Sequence, residues 1–166
     1  MHDKLTRSDI RKMEEEIDHR KLVVRPKALE DLKTARAQGD LSENFEYYAA
    51  KRFKNQNESR IRYLENMIKT AHIIDDSSAE DEVGMNNTVT VEYQDDKSTQ
   101  DLKIVTTVRA NSLGGYITTE SPLGKALIGH HAGDLVHVKT DTGIEYDVKV
   151  LKIVNTDDSG DEINSY

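Results

Sequence analysis

Gly39-Asp40-Leu41-Ser42-Glu43-Asn44 interrupts two stretches of helical periodicity of similar length. Before it, Leu29, Leu32 and Ala35 fall on one face; after it, Ile61, Leu64, Ile68 and Ala71 recur at helical spacing. Two long helices joined by so few residues fold back as an antiparallel hairpin with the joining residues at its tip. About 30 residues of helix rise roughly 45 Å, so the tip is expected to stand far from any globular body. It carries two carboxylates, Asp40 and Glu43. Their spacing fits a capping box, with Asp40 as N-cap of the second helix and Glu43 reaching back to its amide. It fits equally well a pair of oxygen donors carried on an arm toward a hard cation. The two readings are compatible, and spacing does not separate them.

Working back from the tip, Thr6 or Ser8 can cap a first helix whose apolar positions Ile10, Met13, Ile17 and Val24 have coiled-coil spacing. Pro26 lacks an amide and disfavours helix at Arg25, so a break or kink is expected over residues 21–26. Pro26 then sits in the first turn of a new helix that runs to about Gln38. Gly39 can stop that helix in a left-handed conformation. Working forward, the second helix should start within residues 41–44 and end near His72. Its seam, traced back from Ile61, passes Asn57, Lys54, Ala50 and Tyr47, so the middle of the hairpin is polar.

The run Asp75-Asp76-Ser77-Ser78-Ala79-Glu80-Asp81 has no periodicity and reads as a linker. Beyond it the pattern becomes that of strands: Thr88–Tyr93, Leu102–Val108, Gly115–Thr119, Leu135–Lys139 and Ile144–Ile153. Ser121-Pro122 signals an N-cap and first helical residue for a short helix, Pro122–Ile128. The expected fold class is therefore α+β: an N-terminal antiparallel coiled-coil hairpin and a C-terminal antiparallel sheet with one helix. The domain boundaries expected are 1–76 for the arm, 77–80 for the linker, 81–154 for the second domain and 155–166 for a frayed acidic tail.

The net charge of −8 is unevenly placed: residues 81–166 hold 7 Lys/Arg against 15 Asp/Glu. Residues 20–62 run the other way, with 11 basic against 6 acidic residues. A basic arm with an acidic tip suggests nucleic acid as a neighbour, although a solvated charged helix has the same composition. The absence of Cys removes disulfides and thiolate metal sites and fits a reducing cytosol. No apolar run is long enough to span a bilayer, so a soluble, cytoplasmic protein is expected. His130-His131 follows a helix-ending Gly129 and reads as exposed loop rather than metal site. No phosphate-binding loop, zinc spacing or nucleophile triad is recognisable.

The segment 35–47, ARAQGDLSENFEY, resembles the tip of the bacterial transcript-cleavage factors GreA and GreB, and is closer to GreA. Further matches are Arg25-Pro26, Glu58-Ser59-Arg60-Ile61 with Leu64-Glu65-Asn66-Met67-Ile68, and Glu120-Ser121-Pro122-Leu123 with Leu127-Ile128-Gly129. They occur in family order over roughly residues 5–154. The chain departs from the family at Arg52–Gln56, where Phe53 is expected to substitute in packing, and at Phe45, where a small residue is common.

The resemblance implies an FKBP-like second domain that docks on RNA polymerase, with the arm entering the secondary channel of that enzyme. Asp40 and Glu43 match the two family acids that promote cleavage of backtracked RNA by sharing the second catalytic Mg²⁺ of the polymerase. The factor is then not itself an enzyme, binds no Mg²⁺ stably alone, and meets the nascent RNA 3′ end only in the complex; a monomer is expected. Ser42, Asn44 and Tyr47 are candidate supporting residues of the tip, and Arg36, Lys51 and Arg52 candidate contacts to RNA or polymerase. The rival readings are a Gre-like channel regulator that does not stimulate cleavage, a prolyl isomerase, and a purely structural coiled coil.

Overall fold

The computed structural model describes residues 3–39, 44–75 and 80–164. The chain divides into two compact units, one built on Asp9–Ala71 and the other on Lys4–Ser8 together with the chain from His72 on.

In the first unit, α1 (Arg7–His19) continues through a π-helical turn (Arg20–Val24) into α2 (Arg25–Arg36). After the tip, α3 (Phe45–Thr70) runs back beside them. The break expected at Pro26 is thus absorbed without leaving the helix. Pro26 has no amide to offer the carbonyl one turn earlier, and the ladder widens instead, with the Arg25 amide donating to the Arg20 carbonyl. The widened turn also alters which residues face inward. Ala28 is buried and Leu29 is 46% exposed, whereas the apolar pattern alone placed Leu29 inside.

The α3 seam follows the heptad steps: Tyr47, Asn57, Ile61 and Leu64 are buried, and Ala50, Lys54 and Ile68 are partly so. Phe53 is 51% exposed, so it does not fill the polar middle of the hairpin. A hydrogen-bonded network does. Arg60 grips Glu16 with two bonds, Nε to Oε2 at 2.8 Å and Nη2 to Oε1 at 3.2 Å. Arg20 donates to the same carboxylate at 2.7 Å and to the Asn57 side-chain oxygen at 3.0 Å. The Asn57 amide returns a bond to the Arg20 carbonyl at 3.3 Å. Burial pushes the Glu16 carboxyl up, but the hydrogen bonds from Arg60 and Arg20 outweigh it and leave it below its ordinary value. Arg25–Glu58 and Lys21–Glu65 add cross-helix pairs nearer the surface, which contribute little individually.

The second unit contains a five-stranded sheet, in the order β5-β4-β3-β7-β6, formed by β3 (Thr88–Tyr93), β4 (Thr99–Val105), β5 (Tyr116–Thr118), β6 (Leu135–Lys139) and β7 (Glu145–Val154). The sheet is mixed rather than wholly antiparallel: β4 and β5 pair parallel, joined by two short 3₁₀ turns. Alternate strand residues Val89, Val91, Val136, Val138, Val148 and Val150 form one core with Leu102, Ile104 and Leu127. The helix α4 (Pro122–Leu127) starts as read, with the Ser121 hydroxyl accepting the Gly124 amide at 3.1 Å. Gly124 is required there, because a Cβ would fall 1.9 Å from the Thr118 carbonyl oxygen. A separate pair of two-residue strands, β1 (Lys4–Leu5) and β2 (His72–Ile73), runs parallel and brings both ends of the helical unit together.

The tail is docked rather than frayed. Asp161 is 8% exposed and accepts from Lys103 Nζ at 3.0 Å and from Arg109 Nη1 at 2.8 Å. Arg109 also donates to the Asn86 side chain at 2.8 Å, and Asn164 bonds the Val108 and Ala110 carbonyls. Burial raises the Asp161 carboxyl, and the hydrogen bonds from Lys103 and Arg109 more than reverse this, holding it below the usual range.

Removing one member of such a buried pair leaves its partners charged and desolvated. Asp161→Asn should cost about 3–5 kcal/mol, read as a lower urea midpoint. Asp161 and Glu16 are both held below their ordinary values. The stability they add is complete above about pH 5 and is lost progressively as pH falls through their unfolded and then their lower folded values. Acid titration followed by circular dichroism should show that loss, and the doubly substituted Glu16→Gln, Asp161→Asn chain should show less of it.

Candidate functional site

The side chain of Asn44 ties together the end of α2 and the start of α3. Asn44 is the N-cap of α3, and its side-chain oxygen accepts the Tyr47 amide at 3.0 Å. Its amide nitrogen donates to the Ala35 carbonyl at 2.6 Å. The last carbonyls of α2 and the first amides of α3 lack partners within their own helices, and Asn44 satisfies one of each. Gly39, in the turn after α2, has φ +137°, a conformation that side-chain-bearing residues rarely adopt. The sequence called for a left-handed glycine at this point; the turn is positive in φ but wider.

Asp40, Ser42 and Glu43 lie outside the described residues. The capping box read on Asp40 and Glu43 falls on those residues; the described helix α3 has Asn44 as its N-cap. Asn44 was itself read as a candidate for orienting the acids; its observed bonds close the hairpin. The signal was present in the sequence, since Asn three residues before Tyr47, with Glu46 in the first turn, is a strong helix start.

Tyr47 is buried in the seam, 9% exposed, and the Arg36 guanidinium lies 5.5 Å from its ring centre and donates to its hydroxyl at 3.4 Å. That hydrogen bond holds the Tyr47 phenol below its usual value. Tyr48 packs edge-on against Tyr47, with ring centres 5.4 Å apart. Arg36, Asn44 and Tyr47 therefore form one cluster across the hairpin end. Lys51 and Arg52 lie on an exposed face of α3 with Tyr48, Asn55, Gln56 and Ser59.

Elsewhere, the His130 ring and the His131 backbone amide both approach Asp134 Oδ2, at 3.2 Å and 2.8 Å. His137 bridges Asp147 and Glu145 on the surface, at 2.8 Å and 3.2 Å. Among the described residues no group of three or more His, Asp or Glu is arranged to hold a metal ion, and no helix is long and apolar enough to cross a membrane.

Comparison with known proteins matches residues 4–73 to the GreA/GreB N-terminal model, described as transcription elongation factor, N-terminal. Residues 78–155 match the model described as transcription elongation factor, GreA/GreB, C-terminal. The chain is 42% identical to the transcription elongation factor GreA of Streptococcus gordonii over 153 residues, which cover 92% of this chain and 95% of the relative. It is 41% identical to that of Streptococcus sanguinis with the same coverage. Among solved structures it is similar to GreA factor homolog 1 of Thermus thermophilus, 26% identical, covering 93% of this chain and 99% of that one with a TM-score of 0.43.

Asn44→Ala removes both bonds of the clasp and should cost about 1 kcal/mol, the usual scale for an N-cap. Asn44→Asp keeps the capping oxygen but loses the donor to Ala35. Amide hydrogen exchange in the first turn of α3 should rise sharply for the first variant and little for the second.

Proposed function

Because the chain belongs to the GreA/GreB family of transcription elongation factors, we propose that it stimulates RNA polymerase to cleave backtracked transcripts. In this reading the helical hairpin enters the secondary channel and presents Asp40 and Glu43 to the catalytic centre of the polymerase. One observation carries the reading furthest. Asn44 caps α3 and ties it to the end of α2, so the segment carrying Asp40 and Glu43 connects two helix ends that are fixed to each other.

The length of the arm suits the task. The 26 residues of α3 extend about 39 Å at 1.5 Å per residue. Two carboxylates are an apt but incomplete donor set for Mg²⁺, which is commonly held by one or two protein carboxylates and several waters. When bound, the ion supplies charge stabilisation and an activated water for phosphodiester hydrolysis. The role of this chain is to bring Asp40 and Glu43 to it and hold them there. The hairpin register and the Asn44 clasp hold the helix ends from which the tip springs. Ser42, next to Glu43, is a candidate hydrogen-bond donor to the acids. Nuclease chemistry then belongs to the polymerase, and the chain is not an enzyme by itself. The second unit serves as the polymerase-docking domain, and the factor works as a monomer in the cytoplasm.

Lys51 and Arg52, exposed on α3, are assigned to transcript phosphates, with Arg36 adding the donors it does not give to Tyr47. A second reading keeps the same channel but has the chain block it without cleavage. Phe45, 85% exposed beside the tip, is the feature that favours it.

Cleavage assays on stalled elongation complexes decide between the two. Asp40→Asn and Glu43→Gln should each abolish RNA shortening while polymerase binding and helical content are retained. Full shortening by either variant, or none by the unsubstituted chain at saturation, overturns the cleavage reading. Replacing Lys51 and Arg52 together should weaken engagement with the complex and flatten its dependence on salt. An unchanged salt slope would remove them from phosphate contact.

A further inference from the structure

We infer that the exposed face of α3 beside the tip, led by Phe45 and Tyr48, is a stacking platform for the unpaired base at the transcript 3′ end. The inference rests on the functional reading above and adds to it a contact with the base rather than with the phosphate.

Phe45 is the first residue after the cap and remains 85% exposed. Tyr48, one turn on, is 45% exposed. Together with Arg52 and Asn55 they recur at steps of three, four and three, which places them on one side of the helix, away from the buried seam. The platform is held from behind. Tyr48 is braced edge-on by Tyr47, Tyr47 is engaged by Arg36, and the Asn44 clasp fixes the backbone from which Phe45 projects.

The chemistry of the face selects its occupant. A groove for an apolar protein segment would continue the aromatic pair with aliphatic residues. Here it continues with Lys51, Arg52 and Asn55, within a stretch of 11 basic against 6 acidic residues. Aromatic rings followed by cations one turn away match a single nucleotide strand, with rings for bases and cations for phosphates. Stacking tolerates any base but favours the larger π-face, so a purine end should be held more firmly than an end without a base.

The test uses backtracked polymerase complexes whose RNA ends either in adenosine or in an abasic ribose at the same position. Half-saturating factor concentration and cleavage rate are both measured. With the adenosine end, Phe45→Ala should raise the half-saturating concentration about tenfold, the scale of one lost base–aromatic stack. Tyr48→Ala should act in the same direction, and Phe45→Trp should restore binding. With the abasic end, the unsubstituted chain and Phe45→Ala should be indistinguishable. Equal losses on both ends would assign Phe45 to a protein wall and overturn the inference, as would no loss on either. Cleavage that proceeds without base dependence sinks this inference alone. Base-dependent binding without cleavage supports it and sinks the cleavage reading instead.

Discussion

The Glu16 carboxylate, gripped by Arg60 and Arg20, is the constraint on which the helical unit depends. The polar middle of the hairpin cannot be held by apolar packing, because Lys54 and Asn57 occupy the seam there. The network supplies a register instead. Asn57 needs both the Arg20 guanidinium and the Arg20 carbonyl, and Arg60 needs both oxygens of Glu16. An apolar seam tolerates slippage by a turn; this arrangement does not, since slippage would leave buried charges unpaired. Its contribution is therefore to specificity of pairing more than to net stability. The π-helical turn begins at the same residue, with the Arg20 carbonyl accepting from both the Arg25 amide and the Asn57 side chain.

Register fixes function at a distance. One turn of slippage along α3 would displace the hairpin end by about 5 Å, more than the metal–oxygen contacts of the proposed function could absorb. At the far end, Asn44 ties the last turn of α2 to the first turn of α3, so the tip residues spring from two fixed points. Two separate polar devices thus set the ends of one lever, and the apolar residues between and beyond them set its stiffness.

Much of this was legible in the sequence. Heptad steps traced back from Ile61 gave the α3 seam, including its polar middle, and Ser121-Pro122 gave the start of α4. What escaped was whatever depends on partners remote in sequence. Pro26 signalled an interruption, but not that a π turn would accommodate it and place Ala28 rather than Leu29 inside. The acidic tail reads as solvated because nothing local to Asp161 announces Lys103 and Arg109, more than fifty residues earlier. The parallel β4–β5 pair and the short β1–β2 pair escaped for the same reason, since pairing direction is set by the connections rather than by strand composition. At the site, Asn44 reads locally as one more polar tip residue, because its second partner, the Ala35 carbonyl, lies across the hairpin.

The most direct measurement is a structure of the chain bound to a backtracked RNA polymerase complex in the presence of a divalent cation. The account predicts Asp40 and Glu43 oxygens at about 2.1 Å from an ion in the polymerase catalytic centre, with the Asn44–Ala35 bond and the Glu16–Arg60 pairing intact. An ion whose shell is complete without either acid, or a hairpin bound outside the channel, would contradict it.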